Sequence, residues 1–591
     1  MTDRPEHQSA VDSAPAAASA SVDPTDPYAR EQQTFPHLSG EAVDRIRPYG
    51  REETLAPGTL VFERGERSVD FLVVLEGGVE IVERGASGEE RVNTVHGRCQ
   101  FTGELDLFND RRILVDGRIA GPEGGGDARI LRVPRAAFRR MVSTEADLGE
   151  TITRAFILRR TGFIRHAEAG AVLIADHADA GGLADAIRMK RFLGRNGYPM
   201  RYVEAADPEA ARLMDARGLT EDDLPAVLAP DDVTLSRPSI PDLADALGLT
   251  EAPEAGHVYD VAVVGAGPAG LSAAVYAASE GLDTIIVEEE APGGQAGTSS
   301  RIENYLGFPI GISGQALAGR AWIQAQRFGA RMAVSRAARG LDCDRAEDGR
   351  PFRVALDGGA TVDARAVVLA TGATYRRLGL PGEGGYENRG LHYAATALEA
   401  GLCENAEVAV VGGGNSAGQA AVFLSRYAEH VHVLVRGDGL ADSMSDYLVQ
   451  RIEDSCRITL RTRTQITALH GTPALTGVTM EGPDGAEERP ITHIFVMIGA
   501  VPNTGWLEGC VQVDAKGFVC TGTDVTEGRP KSAFETSRPG VFAVGDLRAG
   551  SVKRVASGVG EGSVCVSAVH GWLTTDERNE GRLDSEARTT G

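Results

Sequence analysis

Cysteine is scarce in this sequence, and the few cysteines lie far apart. Seven occur in 591 residues, and no two are closer than ten residues. This spacing fits neither a disulfide-rich secreted scaffold nor a zinc cluster, so the sequence predicts a reducing, cytoplasmic environment. The twelve histidines show no metal-binding spacing such as H-E-x-x-H, and we therefore predict no metal site.

Basic residues and long apolar runs are also few. Lys and Arg number 60 against 84 Asp and Glu, which gives a formal net charge of -24 and a pI near 5.0. Clustered cations supply most nucleic-acid affinity, so no nucleic-acid partner is predicted. The uncharged run 261–279 is long enough to span a membrane, but its glycines indicate a strand, a tight turn and a helix. We therefore predict no membrane partner, and the opening MTDRPEHQ carries no secretory signal.

The length predicts about four domains of ~150 residues each, and the composition divides the chain. Residues 1–34 are rich in Ala, Ser, Pro and Asp and are predicted to form a disordered tail. Residues 35–164, here named the barrel unit, carry short alternating strands such as TLVFERG and ARILRVP, which are typical of a β-barrel. Residues 165–250, here named the small α/β unit, alternate strands with helical pieces. Residues 576–591 are predicted to be a flexible C-terminal tail.

A segment of the barrel unit, CQFTGELDLFNDRRILVDGRIA at 99–120, resembles the phosphate cassette of the cyclic-nucleotide-binding domain family. That cassette reads roughly F-G-E-L, a short loop, then P-R and a small residue. The resemblance implies a cyclic nucleotide as partner, with Glu104 accepting a ribose hydroxyl and Arg112 clamping the cyclic phosphate. However, Arg111 replaces the proline and Ile113 replaces the small residue. The sequence therefore leaves open whether this is a nucleotide-binding barrel or a degenerate docking or regulatory barrel.

The small α/β unit resembles glutaredoxin and thioredoxin-like domains. Pro225 stands at the turn where that family keeps a cis-proline beside its active site. The turn after the first strand, DHADAGG at 176–182, should carry a reactive cysteine at a helix start, yet the unit contains no cysteine. This excludes thiol chemistry within the unit, and docking or linkage is the remaining interpretation.

Further along the chain, a strand YDVAVVG leads into Gly265-Ala-Gly267-Pro-Ala-Gly270, a helix and a second strand TIIVEEE. The glycines allow a tight turn, close approach of a pyrophosphate and close packing of the helix on the strand. Glu288 lies 23 residues after Gly265, where a carboxylate accepts the hydroxyls of an adenosine ribose. Together these features predict a Rossmann-like dinucleotide site.

A second copy of this pattern reads EVAVVGGGNSAGQAAVFLSRYAEHVHVLVRG. Its fingerprint positions are taken by Gly412, Gly414 and Ala417. Arg436 replaces the acid and favours a 2′-phosphate, so NADP is predicted over NAD. NAD stays open because Asp438 is close and no second clamping arginine is evident, although Ser443 and Ser445 would add hydroxyl groups. Alternatively, Arg436 points to solvent.

Between 258 and 572 the chain resembles the thioredoxin reductase family of two-dinucleotide flavoproteins. Besides both fingerprints it carries, in that family's order, APGGQAG, IENYLGFP, VVLATGA, IGAVPNT, ETSRPGVFAVGD and KRVASGVGEGS. The resemblance implies two α/β dinucleotide-binding (Rossmann-like) domains. The FAD-binding domain would consist of segments 258–378 and 503–575, here named the flavin unit. The NAD(P)-binding domain, 379–502, would be inserted between them and is named the nicotinamide unit. The family also implies a homodimer.

The same resemblance assigns roles to individual residues. Those expected to line FAD, with Val555 in place of the family's glutamine, are Gly265, Gly267, Gly270, Glu288, Gly294, Gln295, Asn304, Thr371, Gly372, Gly545, Asp546, Arg554, Val555 and Ala556. Those expected to hold NADP are Gly412, Gly414, Asn415, Ser416, Ala417, Arg436 and Gly499. The nicotinamide unit would rotate about two linkers, near Leu380-Pro381-Gly382 and Val501-Pro502-Asn503.

The family's C-x-x-C, which takes electrons from reduced flavin, falls on Ala394-Ala395-Thr396-Ala397 when the strand EVAVVGGGN is aligned. Alanine forms no thiolate, so direct disulfide exchange at this position is excluded. Cys403 and Cys565 are expected to be small buried hydrophobic residues rather than replacements. Because the sequence keeps both dinucleotide sites, the resemblance implies hydride transfer from NAD(P)H to FAD, as in the family. The sequence does not name the acceptor that follows.

Three interpretations of the function stay open. The first is an FAD-dependent NAD(P)H oxidoreductase that passes electrons to oxygen, a quinone or an external redox protein. The second is a flavin-bearing redox or nucleotide sensor without turnover. The third is a disulfide reductase that uses the thiols of a partner protein. In the first, the barrel unit could regulate turnover by biasing the rotation of the nicotinamide unit.

Overall fold

The computed structural model describes residues 27–589, with gaps at 86–88, 104, 110, 167–169, 177–178, 231, 300, 346–348, 388, 394, 396, 441–443, 508 and 527. Along the described chain the secondary structure changes character in the order that the motifs predicted. An antiparallel region comes first, then a small mixed sheet, then a parallel sheet into which a second parallel sheet is inserted. None of the described helices is long and apolar enough to cross a membrane.

The barrel unit contains eight short strands with helices at both ends. The strands are β1 Arg51–Leu55, β2 Leu60–Phe62, β3 Phe71–Glu76, β4 Gly78–Arg84, β5 Glu90–His96, β6 Phe101–Thr102, β7 Asp116–Ala120 and β8 Ala128–Val133. The helices are α1 Glu31–Thr34, α2 Gly40–Ile46, α3 Arg135–Thr144 and α4 Ala146–His166. The strands form two antiparallel sheets, β1-β8-β3-β6 and β2-β7-β4-β5. Fully buried rings of Phe71, Phe101, Phe138 and Phe156 join the first sheet to α3 and α4.

The ordered chain begins earlier than the composition predicts. The expected disordered tail runs through residue 34, but α1 lies within it, and Thr34 is fully buried. Arg159 on α4 donates from Nε to Thr34 O at 2.8 Å, and its guanidinium lies 5.4 Å from the Phe35 ring centre. A contact with a residue far along the chain therefore orders part of a segment whose own composition favours disorder. Residues 1–26 lie outside the described residues.

The small α/β unit is a four-stranded mixed sheet with helices on both faces. Its elements are β9 Ala171–Ala175, α5 Ala180–Arg195, β10 Met200–Glu204, α6 Pro208–Arg217, β11 Ala226–Leu228, β12 Thr234–Ser236 and α7 Ile240–Ala246. The strand order is β10-β9-β11-β12, with β10 parallel to β9 and β11 antiparallel to both its neighbours. All of β9 is buried, because alternate side chains pack toward α5 and toward α6. The Leu224–Pro225 peptide is cis, as the resemblance implies.

The first segment of the flavin unit is a parallel sheet that continues into an antiparallel edge. Its elements are β13 Val258–Val264, α8 Pro268–Ser279, β14 Thr284–Glu288, α9 Gly314–Arg327, β15 Arg331–Val334, β16 Ala338–Asp342, β17 Phe352–Leu356 and β18 Thr361–Leu369. The strand order is β15-β14-β13-β18-β17-β16. The strands β15, β14, β13 and β18 are parallel, so the carboxyl ends of the central strands meet at one edge, where dinucleotide sites form.

The nicotinamide unit repeats this architecture on a smaller scale. It follows β19 Ala373–Tyr375 and contains β20 Leu391–His392, α10 Ala397–Gly401, β21 Glu407–Val411, α11 Asn415–Leu424, β22 His430–Leu434, α12 Asp446–Glu453, β23 Ile458–Arg461, β24 Gln465–His470, β25 Gly477–Gly482, β26 Gly485–Arg489, β27 His493–Val496 and β28 Ala500–Pro502. A parallel sheet has the order β20-β27-β21-β22-β23, and β24, β25 and β26 form a separate antiparallel sheet.

The two connections between the units form an antiparallel ribbon of β19 and β28. The second linker, expected near 501–503, falls at the end of this ribbon. The first, expected at 380–382, does not. Glu383 accepts hydrogen bonds from the backbone amides of Leu378 and Gly379 at 2.9 and 2.8 Å, and Leu380 packs into the apolar core of the nicotinamide unit. The chain therefore passes from the flavin unit to the nicotinamide unit at β19, because residues 378–383 already pack with the nicotinamide unit.

The second segment of the flavin unit returns the chain to the first sheet. β29 Val541–Ala543 pairs in parallel with β18, and α13 Val555–Thr589 packs along α8. The helix continues through residues 576–589, which the sequence predicted as a flexible tail. Cys510 in this segment forms a disulfide with Cys343, 167 positions earlier, with the two Cα atoms 6.0 Å apart. The sequence does not predict this pairing, because residues so distant along the chain give no local signal.

Candidate functional site

The first dinucleotide turn joins β13 to α8 at the edge of the sheet. Gly265 has φ +106°, and a Cβ there would overlap Ala370 O on the neighbouring strand end. A Cβ on Gly270 would in turn overlap Gly265 O, so the helix packs directly on the turn. Gly267, the N-cap of α8, has no heavy atom within 4 Å of its Cβ position. The turn therefore leaves an open space at a helix N-terminus, which suits a pyrophosphate.

Glu288 closes one side of this turn. Its carboxylate accepts from the backbone amides of Ala266 at 2.7 Å, Glu290 at 2.9 Å and Ala291 at 3.1 Å. The side chain is buried, and burial raises its pKa while the amides act in the opposite direction. These contacts hold the carboxylate beside the turn, where it can accept the hydroxyls of an adenosine ribose.

The loop that follows Glu288 lies over the same turn. A Cβ on Gly294 would be 3.1 Å from Gly267 Cα, so two stretches that the motifs assigned to one cofactor are in contact. The side-chain amide of Gln295 donates to Ala373 O, which ties this loop to the start of the ribbon. The structure thus brings the residues of APGGQAG to the open side of the turn.

Thr371 and Gly372 meet the second segment of the chain through Asn503. Thr371 Oγ1 donates to Asn503 O at 2.8 Å, and Asn503 Nδ2 donates to Thr371 O at 2.9 Å. The amide of Asn503 donates to Gly372 O at 3.0 Å. From the sequence, Asn503 is expected only to be part of a linker. Its position in IGAVPNT, a motif shared with the family, was the available signal for a role in the site.

Gly545 and Asp546 close the site from the second segment. Gly545 approaches Ala269 of α8, and its amide donates to Glu561 of α13 at 2.7 Å. Asp546 is half-buried, and burial raises the pKa of its carboxyl group. Its carboxylate accepts no hydrogen bond from the described residues, so it is available to a hydroxyl of a bound molecule.

The remaining residues assigned to FAD are more exposed. Arg554 and Ala556 are exposed and Val555 is half-buried at the start of α13, one turn before Gly558 reaches Ala269. Asn304 is exposed and lines a shallow pocket with Tyr447 of α12. These side chains are exposed or half-buried, whereas Glu288 is buried.

The second dinucleotide turn has the same construction between β21 and α11. Gly412 has φ +141°, and a Cβ there would overlap Met497 O. Gly414 is the N-cap of α11, Ser416 is exposed on its first turn, and Ala417 is buried beneath it. Asn415 Oδ1 accepts from the amide of Ser445 at 2.7 Å and so joins the turn to α12. Gly499 lies in the connection between β27 and β28, and no heavy atom lies within 4 Å of its Cβ position.

Arg436 follows β22 and is exposed, with no hydrogen bond or ion pair to any described residue. A second cation lies near it. Arg463 donates its backbone amide to Gly437 O at 3.0 Å, and its side chain is 3.7 Å from Asp438. The fingerprint pattern does not point to Arg463, because this residue comes after the next strand, 27 residues beyond Arg436. Ser443 lies outside the described residues.

The two cysteines weighed as replacements for the family's dithiol, Cys403 and Cys565, are both buried. Ala395 is buried and Ala397 begins α10, while Ala394 and Thr396 lie outside the described residues. Cys403 is fully buried, donates to Glu399 O at 3.2 Å, and has its pKa raised by burial to about 12. Cys565 is also fully buried, and burial raises its pKa. Both thiols are therefore protonated near neutral pH and unsuited to disulfide exchange.

The barrel unit contains a cavity, but its predicted cassette arginines point elsewhere. The cavity is lined by residues that include Phe35, Phe62, Ile81, His96, Arg159 and Arg160. Arg111 donates from Nη1 to Asn196 O at 2.8 Å and stacks on Trp322 at 4.1 Å, while Arg112 packs against Gly248. The position of Arg112 thus does not support its predicted role as a phosphate clamp, because its side chain packs against Gly248 of the small α/β unit. Glu104 lies outside the described residues.

Comparison with known proteins gives matches to both parts of the chain. The family model described as pyridine nucleotide-disulphide oxidoreductase matches residues 259–562, and the model described as cyclic nucleotide-binding domain matches residues 52–145. The thioredoxin reductase of Mycolicibacterium smegmatis is 34% identical over 322 residues, covering 54% of this chain and 98% of that protein. The thioredoxin reductase of Bacillus subtilis is 31% identical over 319 residues, covering 54% and 95%.

Two solved structures match part of the chain. The thioredoxin reductase of Lactococcus lactis has 26% identity and a TM-score of 0.49, covering 54% of this chain and 99% of that one. The enzyme of T. acidophilum has 29% identity and a TM-score of 0.48, covering 53% and 98%. Each of these relatives covers little more than half of this chain.

Proposed function

This chain belongs to the pyridine nucleotide-disulphide oxidoreductase family, and we propose that it is an FAD-dependent NADPH oxidoreductase whose electron acceptor is not a dithiol of its own nicotinamide unit. The observation that carries the proposal is the pair of equivalent turns. Gly265 and Gly412 each lie too close to the end of a parallel strand to allow a Cβ atom, and each is next to an open helix N-terminus. Two dinucleotides can therefore bind to one chain.

The residues of the flavin unit fit FAD. The turn at 265–270 offers backbone amides and a helix N-terminus to the pyrophosphate, and Glu288 offers its fixed carboxylate to the adenosine ribose. The Asp546 carboxylate, which is half-buried and free of protein hydrogen bonds among the described residues, would accept a ribityl hydroxyl. Bound FAD supplies the capacity to accept a hydride from a reduced nicotinamide and to pass the electrons onward.

The residues of the nicotinamide unit fit NADPH. The turn at 412–417 would hold the pyrophosphate, and Arg436 would pair with the 2′-phosphate. Arg463 lies beside the same loop and would supply the second positive charge that the sequence did not reveal. The preference for NADP over NAD thus rests on two exposed side chains.

The choice of an external acceptor rests on the thiols. Alanines occupy the expected positions of the C-x-x-C at 394 and 397, and Cys403 and Cys565 are buried with raised pKa values. Oxygen, a quinone or a redox protein can accept electrons without an internal dithiol. A partner that brings its own thiols would do the same for a disulfide substrate.

Anaerobic mixing of the purified full chain with NADPH and then NADH tests the proposal. Bleaching of the flavin absorbance, faster with NADPH, is the expected result. Subsequent admission of air distinguishes acceptors, because prompt recovery of the absorbance indicates oxygen and slow recovery indicates another acceptor. Tight FAD binding without bleaching by either nucleotide would contradict the proposal and favour a sensor without turnover.

A role for the barrel unit in regulation is supported by its contacts with α9. Arg111 stacks on Trp322, and Arg327 donates to Val142 O at 3.0 Å. A change in the barrel would therefore act first on a helix of the flavin unit. Turnover measured with and without cyclic AMP or cyclic GMP tests this role, and rates unchanged by either nucleotide and by deletion of residues 1–160 would contradict it.

A further inference from the structure

The small α/β unit reaches the flavin unit through the end of α5, the end opposite its empty redox turn. Arg195, the last residue of α5, pairs with Glu290 at 2.6 Å. The same guanidinium donates to Gly294 O at 2.9 Å and to Ala291 O at 3.4 Å. Its side chain is only 11% exposed, so the contact is largely shielded from water. One arginine thus binds three residues of the loop that lies over the dinucleotide turn.

The neighbours of Arg195 strengthen this contact. Asn196 is fully buried, and its side-chain amide donates to Glu290 O at 3.1 Å. Gln315 at the start of α9 donates to Gly194 O at 2.7 Å. These hydrogen bonds place residues 194–196 against both the loop and the helix that follows it. The loop is therefore held from outside the flavin unit.

The position of Gly294 explains why this contact matters for a bound cofactor. Gly294 is in contact with Gly267, the N-cap of the helix expected to face the pyrophosphate. Fixing the Gly294 carbonyl fixes the peptide plane that leads to Gln295, because the peptide bond is planar. The charge of Arg195 also opposes the rise in the pKa of Glu288 that burial causes, so it favours the ionised carboxylate.

We propose that Arg195 is a positioning residue of the flavin site, which holds the 290–295 loop against the 265–267 turn and so raises the affinity for FAD. The proposal rests on the proposed function, in which FAD binds at this turn. Arg195 lies outside residues 259–562, the part matched by the oxidoreductase family model. The small α/β unit, which contains no cysteine, would thereby contribute structurally to another unit's cofactor site.

The test compares variants of the full chain. Arg195→Ala removes the clamp, and Arg195→Lys keeps the charge but not the planar fork that binds two carbonyl groups and a carboxylate. Arg188→Ala is the matched control, because Arg188 lies on the same helix, is 63% exposed and pairs only with Asp185 among the described residues. The dissociation constant for FAD is measured by reconstituting each apoprotein, and the visible circular dichroism of the bound flavin is recorded.

We expect Arg195→Ala to weaken FAD binding at least tenfold and to change the flavin circular dichroism, since the loop would no longer fix the cofactor. Arg195→Lys should recover part of the affinity, and Arg188→Ala should behave as the wild type. An Arg195→Ala protein that binds FAD within twofold of the wild type with an unchanged spectrum would overturn the inference. Failure of the wild type to bind FAD would instead overturn the proposed function.

A second variant covers the case in which Arg195→Ala does not fold. Glu290→Ala removes the carboxylate that anchors the guanidinium from a side chain that is 44% exposed. We expect a several-fold weaker affinity for FAD, with Asp185→Ala as the matched control on the surface of α5. Equal affinities for Glu290→Ala, Asp185→Ala and wild type would also count against the clamp.

Discussion

The two dinucleotide turns share a backbone but differ in their surroundings. Gly265 donates its amide to Val287 O at 2.8 Å, and Gly412 donates to Leu434 O at 2.9 Å. A further strand closes each turn from the other side. It is β18, through Ala370, at the first turn and β27, through Met497, at the second. The same local pattern of glycines has therefore produced the same tight turn twice.

The surroundings decide how firmly each site would hold its nucleotide. Glu288 at the first turn is buried and fixed by backbone amides, and the 290–295 loop and Gly545 close around it. Arg436 at the second turn is exposed and has no partner among the described residues. The first site is suited to retaining a cofactor, and the second to exchanging a substrate. In the proposed function, each fingerprint would hold the phosphates, and the residues packed around it would govern retention and selectivity.

The largest effect is expected from breaking each turn in the same way. Gly265→Ala and Gly412→Ala both place a Cβ onto a carbonyl oxygen at a positive φ. We expect Gly265→Ala to be purified without flavin. Gly412→Ala should keep its flavin but be reduced by NADPH at least about a hundredfold more slowly, equivalent to a barrier increase of roughly 3 kcal/mol. Flavin content and anaerobic reduction rates measure both, and loss of flavin in both variants would contradict separate sites.

A smaller effect is expected at Glu288. Glu288→Gln keeps the shape but loses the charge that accepts hydrogen bonds from three backbone amides and, in the proposed function, would accept the ribose hydroxyls. We expect FAD binding to weaken about ten- to a hundredfold, as for the loss of charge-assisted hydrogen bonds. The neighbouring Glu289 is exposed, so Glu289→Gln serves as the control in the same reconstitution measurement. Equal affinities in the two variants would remove Glu288 from the site.

Acid should change the stability contributions of His392 and Glu288 in opposite directions. His392 is buried in the nicotinamide unit, where burial, and then His493, lowers its pKa to about 3. The unfolded chain protonates this histidine below about pH 6.5, so the stability that His392 contributes is present above that pH and is lost as the pH falls. Glu288 has a raised pKa, so its own contribution increases as the pH falls.

For His392 alone the loss at pH 5 is about 2 kcal/mol. Thermal unfolding of the wild type and His392→Phe at pH 7.5 and 5.0 measures it. The difference in melting temperature between the two pH values should narrow in the variant. His37→Gln, at an exposed position in the barrel unit, is the control. An unchanged pH difference in His392→Phe would show that this histidine is not the source.

The smallest effect is expected at Arg436, because its guanidinium is exposed and its attraction to a phosphate is screened by salt. Arg436→Asp should lower the ratio of kcat/KM for NADPH over NADH about tenfold, which is 1.4 kcal/mol of selectivity. Arg463→Ala should produce a smaller change in the same direction. A ratio unchanged in both variants would mean that neither arginine contacts the 2′-phosphate.

Much of the fold could be predicted from local patterns. The motifs identified the family, and the family model confirms that identification over residues 259–562. The match over residues 52–145 likewise confirms the cyclic-nucleotide-binding type of the barrel. Both are properties of spacing within short segments. The crossing at β19 could not be predicted in the same way, because it depends on Glu383 binding the amides of residues 378 and 379.

The sequence by itself determined both glycine turns and the lack of cysteine at 394–397. It also determined the residue at the end of the strand after each turn, which is Glu288 in one case and Arg436 in the other. These features depend on glycine conformation, side-chain charge and thiol content, which belong to single residues. Only the tertiary structure decided three contacts. Arg195 donates to Gly294 O, Arg111 of the barrel unit stacks on Trp322 of the flavin unit, and Cys343 pairs with Cys510. Such contacts join residues about a hundred or more positions apart, and they form only because packed units exclude water and bring distant side chains together.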